Sequence, residues 1–89
     1  MPYITKQLRD EIDDGAAPES PGELNYAISH LIQTYVKSKG LSYSAINDVV
    51  GALEGAKLEF YRRVAAPYED KKIIQNGDVY PPGWTEPGN

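Results

Sequence analysis

The sequence predicts an all-α fold, and two observations support this prediction. Apolar residues recur at steps of three and four in three segments of the chain, which is the pattern of a core-facing helical stripe. Threonine, serine, proline and glycine stand where these helices would begin and end. We therefore expect a short N-terminal helix, an antiparallel pair of helices of which the second is long, and an extended C-terminal tail.

The first helix is expected over residues 5–14. Its apolar residues recur every four positions: Ile4, Leu8 and Ile12. Thr5 can cap its start, and Gly15 can end it. Several acids crowd its last turn, where the helix dipole disfavours negative charge. We therefore expect this helix to persist only when it docks on the rest of the protein.

The second helix has the clearest start signal in the chain. Ser20 stands at the N-cap, Pro21 at the first helical position and Glu23 at the third, which is the arrangement of a capping box. Gly40 is a natural C-cap for this helix. Between these ends the helix presents an apolar face: Leu24, Ala27, Ile28, Leu31, Tyr35 and Val36.

The third helix, which Ser42 can cap, is expected to be long and to offer two packing faces. The first face carries apolar residues at core-facing spacing: Ile46, Val49, Val50, Leu53, Phe60 and Val64. The opposite face carries Gly51, Gly55, Leu58 and Arg62. A glycine inside a helix costs about 1 kcal/mol relative to alanine, and two small residues one turn apart let another backbone approach closely. We therefore predict a homo-oligomer with Gly51, Gly55 and Leu58 in its interface.

Pro67 lies inside this long helix. Because proline removes one backbone hydrogen bond and crowds the preceding turn, we expect a kink or a stop near Ala66. A further helical stretch is expected from Pro67 to Gln75. Prolines recur beyond residue 80, so we predict one helical domain over residues 1–80 and an extended or disordered tail over residues 81–89.

The composition disfavours several classes of function. A net charge of −4 with nine basic residues is unsuitable for binding duplex nucleic acid. The chain has no cysteine, and its one histidine, His30, lies off the apolar stripe and is interpreted as a solvated or interface residue. No catalytic motif, phosphate-binding loop, leader segment or membrane-length apolar run is visible. We expect a cytoplasmic protein without a metal, a cofactor, a membrane partner or enzymatic activity.

One region could bind a small anion, because cations and aromatic rings alternate there. Its members are Lys57, Tyr61, Arg62, Arg63, Tyr68 and Lys71. Guanidinium groups can hold phosphate oxygens, and a tyrosine ring can stack on a base. On this hypothesis Lys57 is a partly buried cation that faces the ligand pocket. In the alternative, Lys57 reaches solvent or pairs with Glu54, and both arginines form ion pairs with Glu59 on the helix surface.

Three segments carry a resemblance to a known family. They are the opening MPYI, the stretch LNYAISHLI, and the long run SYSAINDVVGALEGAKLEFYRRVAAPYEDKKIIQNGDVY. The chain resembles a family of small proteins from bacteriophages, prophages and environmental bacteria over residues 1–4 and roughly residues 24–80. The resemblance implies a phage context, and with it the host cytoplasm. It implies no activity and no binding residues.

Two hypotheses of function follow. In the first, the protein is a non-enzymatic phage-type binder that sequesters a small anionic, nucleotide-like ligand, as a sponge against host defence; this role is an analogy with other small phage proteins. In the second, it is an interaction module or inhibitor that binds a host or phage protein through its acidic surface. An enzyme is the third and least supported class.

Overall fold

The computed structural model describes residues 4–84, which form three helical segments, the last of them long, and no strand. The elements are α1 (Lys6–Asp13), α2 (Pro21–Lys39), α3 (Tyr43–Phe60), a π turn (Tyr61–Ala65) and α4 (Ala66–Asn76). The last three follow one another without a break. The predicted all-α fold is therefore confirmed.

The chain divides into two compact units, Met1–Val50 and Gly51–Asn89, and the boundary falls inside α3. The first unit contains α1, α2 and the start of α3. The second unit contains the rest of α3, the π turn and α4. The candidate ligand-binding residues and the predicted interface residues all belong to the second unit.

Helix α1 begins and ends where its sequence signals predicted. The Thr5 hydroxyl oxygen accepts a hydrogen bond from the Leu8 backbone N–H at 3.3 Å. Gly15 has φ of +105°, and its N–H bonds the Ile12 carbonyl while the Ala16 N–H bonds the Glu11 carbonyl. This pair of bonds is a Schellman motif, which satisfies the last carbonyls of the helix.

Helix α2 is bounded by its predicted caps. Ser20 Oγ accepts a hydrogen bond from the Glu23 N–H at 3.1 Å, and the same hydroxyl donates to the Glu23 carboxylate at 3.0 Å. At the other end Gly40 adopts φ of +86° and its N–H bonds the Val36 carbonyl. In a usual capping box the glutamate carboxylate also bonds the backbone N–H of the N-cap residue. Here the Glu23 carboxylate bonds the Ser20 hydroxyl instead.

Within the first unit, α1 packs against α2. Ile4, Leu8 and Ile12 are half-buried, as expected for a helix that docks by this face. Near the connection between α2 and α3, the Tyr35 hydroxyl donates to Asp48 at 2.7 Å. The antiparallel packing of α2 along α3 stays a prediction.

The long helix continues past Pro67, so of the two outcomes expected there a stop is excluded. Ser42 caps the start of α3, since its hydroxyl oxygen accepts from the Ala45 N–H at 3.1 Å. The π turn lies directly before Pro67, where the Ala66 N–H bonds the Tyr61 carbonyl five residues earlier. Proline has no backbone N–H to donate to the helix. The wider hydrogen-bond spacing of the π turn lets the helix continue at this point without that bond. The predicted helical stretch after Pro67 is confirmed as α4.

After α4 the chain turns back on itself. Gly77 adopts φ of +86°, and its N–H bonds the Ile73 carbonyl at 2.8 Å. A further turn follows, closed by the Trp84 N–H on the Pro81 carbonyl at 3.3 Å. Most of the predicted tail, residues 85–89, lies outside the described residues.

Few side chains are covered within the chain. Across residues 4–84, Ala45 alone is buried, with 2% of its surface exposed. Large apolar side chains on α2 and α3 are exposed. They include Leu31 on α2 and Phe60 on α3, and 63% of the Phe60 surface is exposed. No helix within this part of the chain is long and apolar enough to cross a bilayer.

Candidate functional site

The π turn presents two adjacent arginines, and both meet the same acid. Arg62 Nη2 lies 3.0 Å from Glu59 Oε2, and Arg63 Nη1 lies 3.2 Å from Glu59 Oε1. The predicted ion pairs of the helix surface are therefore confirmed. The Arg62 side chain remains 76% exposed. Two guanidinium groups that share one carboxylate leave a net charge of +1 at this point of the surface.

Lys57 is paired and exposed. Its Nζ lies 3.7 Å from Glu54 Oε1, and 73% of its side chain is accessible to solvent. The expectation of a partly buried cation is wrong for the single chain, and the alternative pairing with Glu54 is confirmed. The reason is that no other element covers this side chain in its own unit.

The tyrosines of the candidate site form contacts along the helical segment. The Tyr61 hydroxyl donates to Glu69 Oε2 at 3.3 Å. The negative charge of Glu69, and then this hydrogen bond, raise the pKa of Tyr61 above its ordinary value. Lys72 Nζ lies 5.5 Å from the centroid of the Tyr68 ring, which is a cation–π contact. Sequence analysis missed this contact, although the spacing of four residues between Tyr68 and Lys72 could have predicted it.

Lys71 has no ion pair within residues 4–84, unlike the other cations proposed for the site. All six proposed residues are exposed within the single chain, and their role in a ligand site stays a prediction. Lys57 pairs with Glu54, the two arginines pair with Glu59, and Tyr61 bonds Glu69. All of them lie on one helical segment, so their side chains are distributed along its surface.

A groove that the sequence did not predict lies at the end of α4. It has a volume of about 340 Å³ and is wide open to solvent. Its lining includes the apolar side chains of Ile73, Val79 and Tyr80 and the charged side chains of Glu69, Lys72 and Asp78. The backbone reversal at Gly77 creates it by bringing residues 78–80 back beside α4. The end of the helix near Gln75 was predicted, but spacing alone does not reveal where the following residues pack.

The predicted interface residues are accessible. Apart from its chain neighbours and the helix's own backbone, a Cβ added at Gly51 or at Gly55 would meet no heavy atom within 4 Å, and Leu58 is 57% exposed. Nothing within the described chain explains why these two positions lack a side chain. Their place in an oligomer interface stays a prediction.

A second polar group, which sequence analysis missed, joins α1 to α2. The Tyr26 hydroxyl donates to both carboxylate oxygens of Asp13, at 2.8 and 3.0 Å. His30 Nδ1 lies 3.2 Å from Asp13 Oδ1, and the Tyr26 and His30 rings stack with centroids 6.2 Å apart. The bond to Asp13 raises the pKa of the Tyr26 phenol. His30 is thus a contact of the docked helix.

The acids at the end of α1 are also partly occupied. Asp10 pairs with Lys6 at 2.9 Å, and Glu11 accepts from the Gln7 side-chain amide at 3.3 Å. Within residues 4–84 no group of three or more histidine, aspartate or glutamate side chains is placed to hold a metal ion.

Fold and surface together define a small all-helical protein with exposed apolar faces and an exposed cationic stretch. Residues 1–79 match the family model described as "Domain of unknown function (DUF6899)". The chain therefore belongs to this family. No curated protein and no solved structure matches it significantly.

Proposed function

We propose that this protein is a non-enzymatic interaction module that works as a homo-oligomer. The supporting observation is the burial pattern, in which Ala45 alone is buried within residues 4–84. Ordering a residue costs roughly 1–2 kcal/mol of backbone entropy. Buried apolar surface is the main term that offsets this cost. A chain that leaves its apolar stripes exposed gains that burial from a partner.

Light scattering at tens of micromolar protein tests the proposal. We expect a mass of at least two chains, together with helicity that falls on dilution because the helices need the partner's surface. A monomeric mass at this concentration, with full helicity, would refute the proposal. The interaction hypothesis would then require a different protein as the partner, bound through the acidic surface of this chain.

A second candidate function is the binding of a small anionic, nucleotide-like ligand. It is favoured by the π turn, where Arg62 and Arg63 share the single carboxylate of Glu59. A phosphate could replace this carboxylate on one of the two guanidinium forks. Lys71 and the exposed ring of Tyr68 lie further along the same segment. Sequestration of a host signal rests on the resemblance to small phage proteins.

A thermal-shift screen of mononucleotides and cyclic dinucleotides tests this candidate. A ligand at a hundredfold excess over its dissociation constant stabilises the folded protein by about 2.7 kcal/mol. The Arg62→Ala/Arg63→Ala variant should lose this response and keep its helicity. The matched control removes two other cations, Lys37 and Lys39, and should respond like the wild type. Equal loss in both variants would indicate a general charge effect and contradict the site.

A further inference from the structure

We infer that Asn76 is a site of spontaneous deamidation, and that the end of α4 controls the rate of this reaction. Asn76 is the last residue of α4, and Gly77 follows it at the point where the chain reverses. Both residues are exposed to solvent. The substrate is the chain itself and the other reactant is water, so the inference depends neither on self-association nor on a ligand.

The reaction joins the side chain of Asn76 to the backbone nitrogen of Gly77. Hydroxide removes the proton of the Gly77 N–H, and the nitrogen attacks the side-chain carbonyl carbon of Asn76. The new carbon–nitrogen bond closes a succinimide ring, while the bond to the side-chain nitrogen breaks and ammonia leaves with a proton from water. A second water opens the ring at either carbonyl and leaves aspartate or isoaspartate at residue 76. The net change converts an amide and a water into a carboxylate and an ammonium ion, without oxidation or reduction.

The fold requires glycine at the position that makes Asn76 reactive. A side chain on the residue after an asparagine hinders the attack of its backbone nitrogen, and glycine has none. Gly77 adopts φ of +86°, a backbone conformation that residues with a side chain rarely adopt. The turn that ends α4 therefore places the least hindered nitrogen directly after an exposed asparagine.

One backbone hydrogen bond restrains the reaction in the folded protein. The Gly77 N–H donates to the Ile73 carbonyl at 2.8 Å, which is the last backbone bond of α4. Breaking this bond frees the nitrogen and lets the Asn76 backbone rotate, as ring closure requires. Helix ends open at little cost in free energy, whereas the interior of a helix opens only with several neighbouring bonds. The folded chain should therefore react through its frayed helix end.

Two other asparagines provide an internal comparison. Asn25 and Asn47 are as exposed to solvent as Asn76 by class, but they lie inside α2 and α3 and precede Tyr26 and Asp48. Each is thus followed by a residue with a side chain, in a part of the helix that does not fray by itself. We expect both to deamidate more slowly than Asn76.

The products would weaken the turn that forms the groove at the end of α4. A carboxylate at residue 76 is disfavoured there, because the C-terminus of a helix already carries partial negative charge. The groove is lined by Glu69 and Asp78 against the single cation Lys72, so a further carboxylate adds to an excess of negative charge. Isoaspartate also lengthens the backbone by one carbon and displaces the bond that ends the helix.

Mass spectrometry of peptides from the incubated full chain tests the assignment. We expect residue 76 to convert to a mixture of aspartate and isoaspartate, at a rate that rises with pH because hydroxide is the base. Asn25 and Asn47 should stay largely unmodified over the same period. Asn76→Gln keeps the amide but would need a larger ring, so it should abolish the conversion. Equal conversion of all three asparagines would overturn the inference. So would an unmodified Asn76 in the folded chain after the denatured chain has reacted.

A pair of variants at Ile74 tests whether the end of α4 controls the rate. Ile74 is 85% exposed, and both Ile74→Ala and Ile74→Gly remove its side chain. Because glycine weakens the last helical turn relative to alanine, Ile74→Gly should deamidate up to about fivefold faster than Ile74→Ala. In denaturant the two variants should react at the same rate. Equal rates in the folded proteins would show that fraying of α4 does not control the reaction.

Discussion

Gly55→Leu should change the stability of the single helix and the stability of the assembly in opposite directions. Apart from its chain neighbours and the helix's own backbone, a Cβ at residue 55 meets nothing within 4 Å, and leucine is the better helix former by roughly 0.8 kcal/mol. The isolated helix should therefore gain stability. In the predicted homo-oligomer the same side chain enters the space through which another backbone would approach Gly55.

The size of the second effect follows from overpacking. Inserting a large side chain into a packed contact costs about 1–3 kcal/mol. A symmetric dimer contains the contact twice, so the dimer should lose roughly 2–6 kcal/mol. The dissociation constant should then rise by between about 30-fold and about 10⁴-fold.

Sedimentation velocity across a dilution series measures this change, and circular dichroism on the same samples reports helicity. Gln75→Leu serves as the matched control, since it adds the same side chain to an exposed position of α4 away from the predicted interface residues. We expect the control to assemble like the wild type. If Gly55→Leu assembles as tightly as Gln75→Leu, Gly55 does not lie in an interface and the reasoning is refuted.

Three further results are expected. Ser20→Ala should destabilise α2 by about 1 kcal/mol, measured as a lower thermal midpoint, because the Glu23 N–H loses its acceptor; an unchanged midpoint would contradict this role. Hydrogen bonds to carboxylates raise the pKa of Tyr26 and Tyr35 in the folded state. The stability that these bonds contribute below about pH 10 should therefore be lost as the pH rises through the raised pKa values. Replacing both tyrosines by phenylalanine should flatten the alkaline fall in denaturant titrations; an equally steep fall would contradict the assignment. Asp13→Asn should release α1 and speed proteolysis near residue 15, and unchanged cleavage would show that apolar contacts alone hold the helix.

The sequence by itself determined the helices and their ends. Ser20, Ser42 and Gly40 act on backbone groups three or four residues away, so their positions alone predict where α2 and α3 begin and where α2 ends. The ion pairs of Glu59 follow from the same short range, because residues three and four apart are neighbours on any α-helix. These features need no knowledge of the rest of the fold.

The tertiary structure alone decided the contacts between distant residues. Asp13 meets Tyr26 only because α1 docks on α2, and the groove beside Ile73 exists only because the chain reverses after α4. The exposure of Lys57 was also a tertiary result, since a helical pattern marks an apolar face whether or not another element covers it. Local hydrogen bonds have fixed sequence separations, whereas packing depends on which surfaces meet. For this reason the helices could be predicted from the sequence, and the surroundings of their side chains could not.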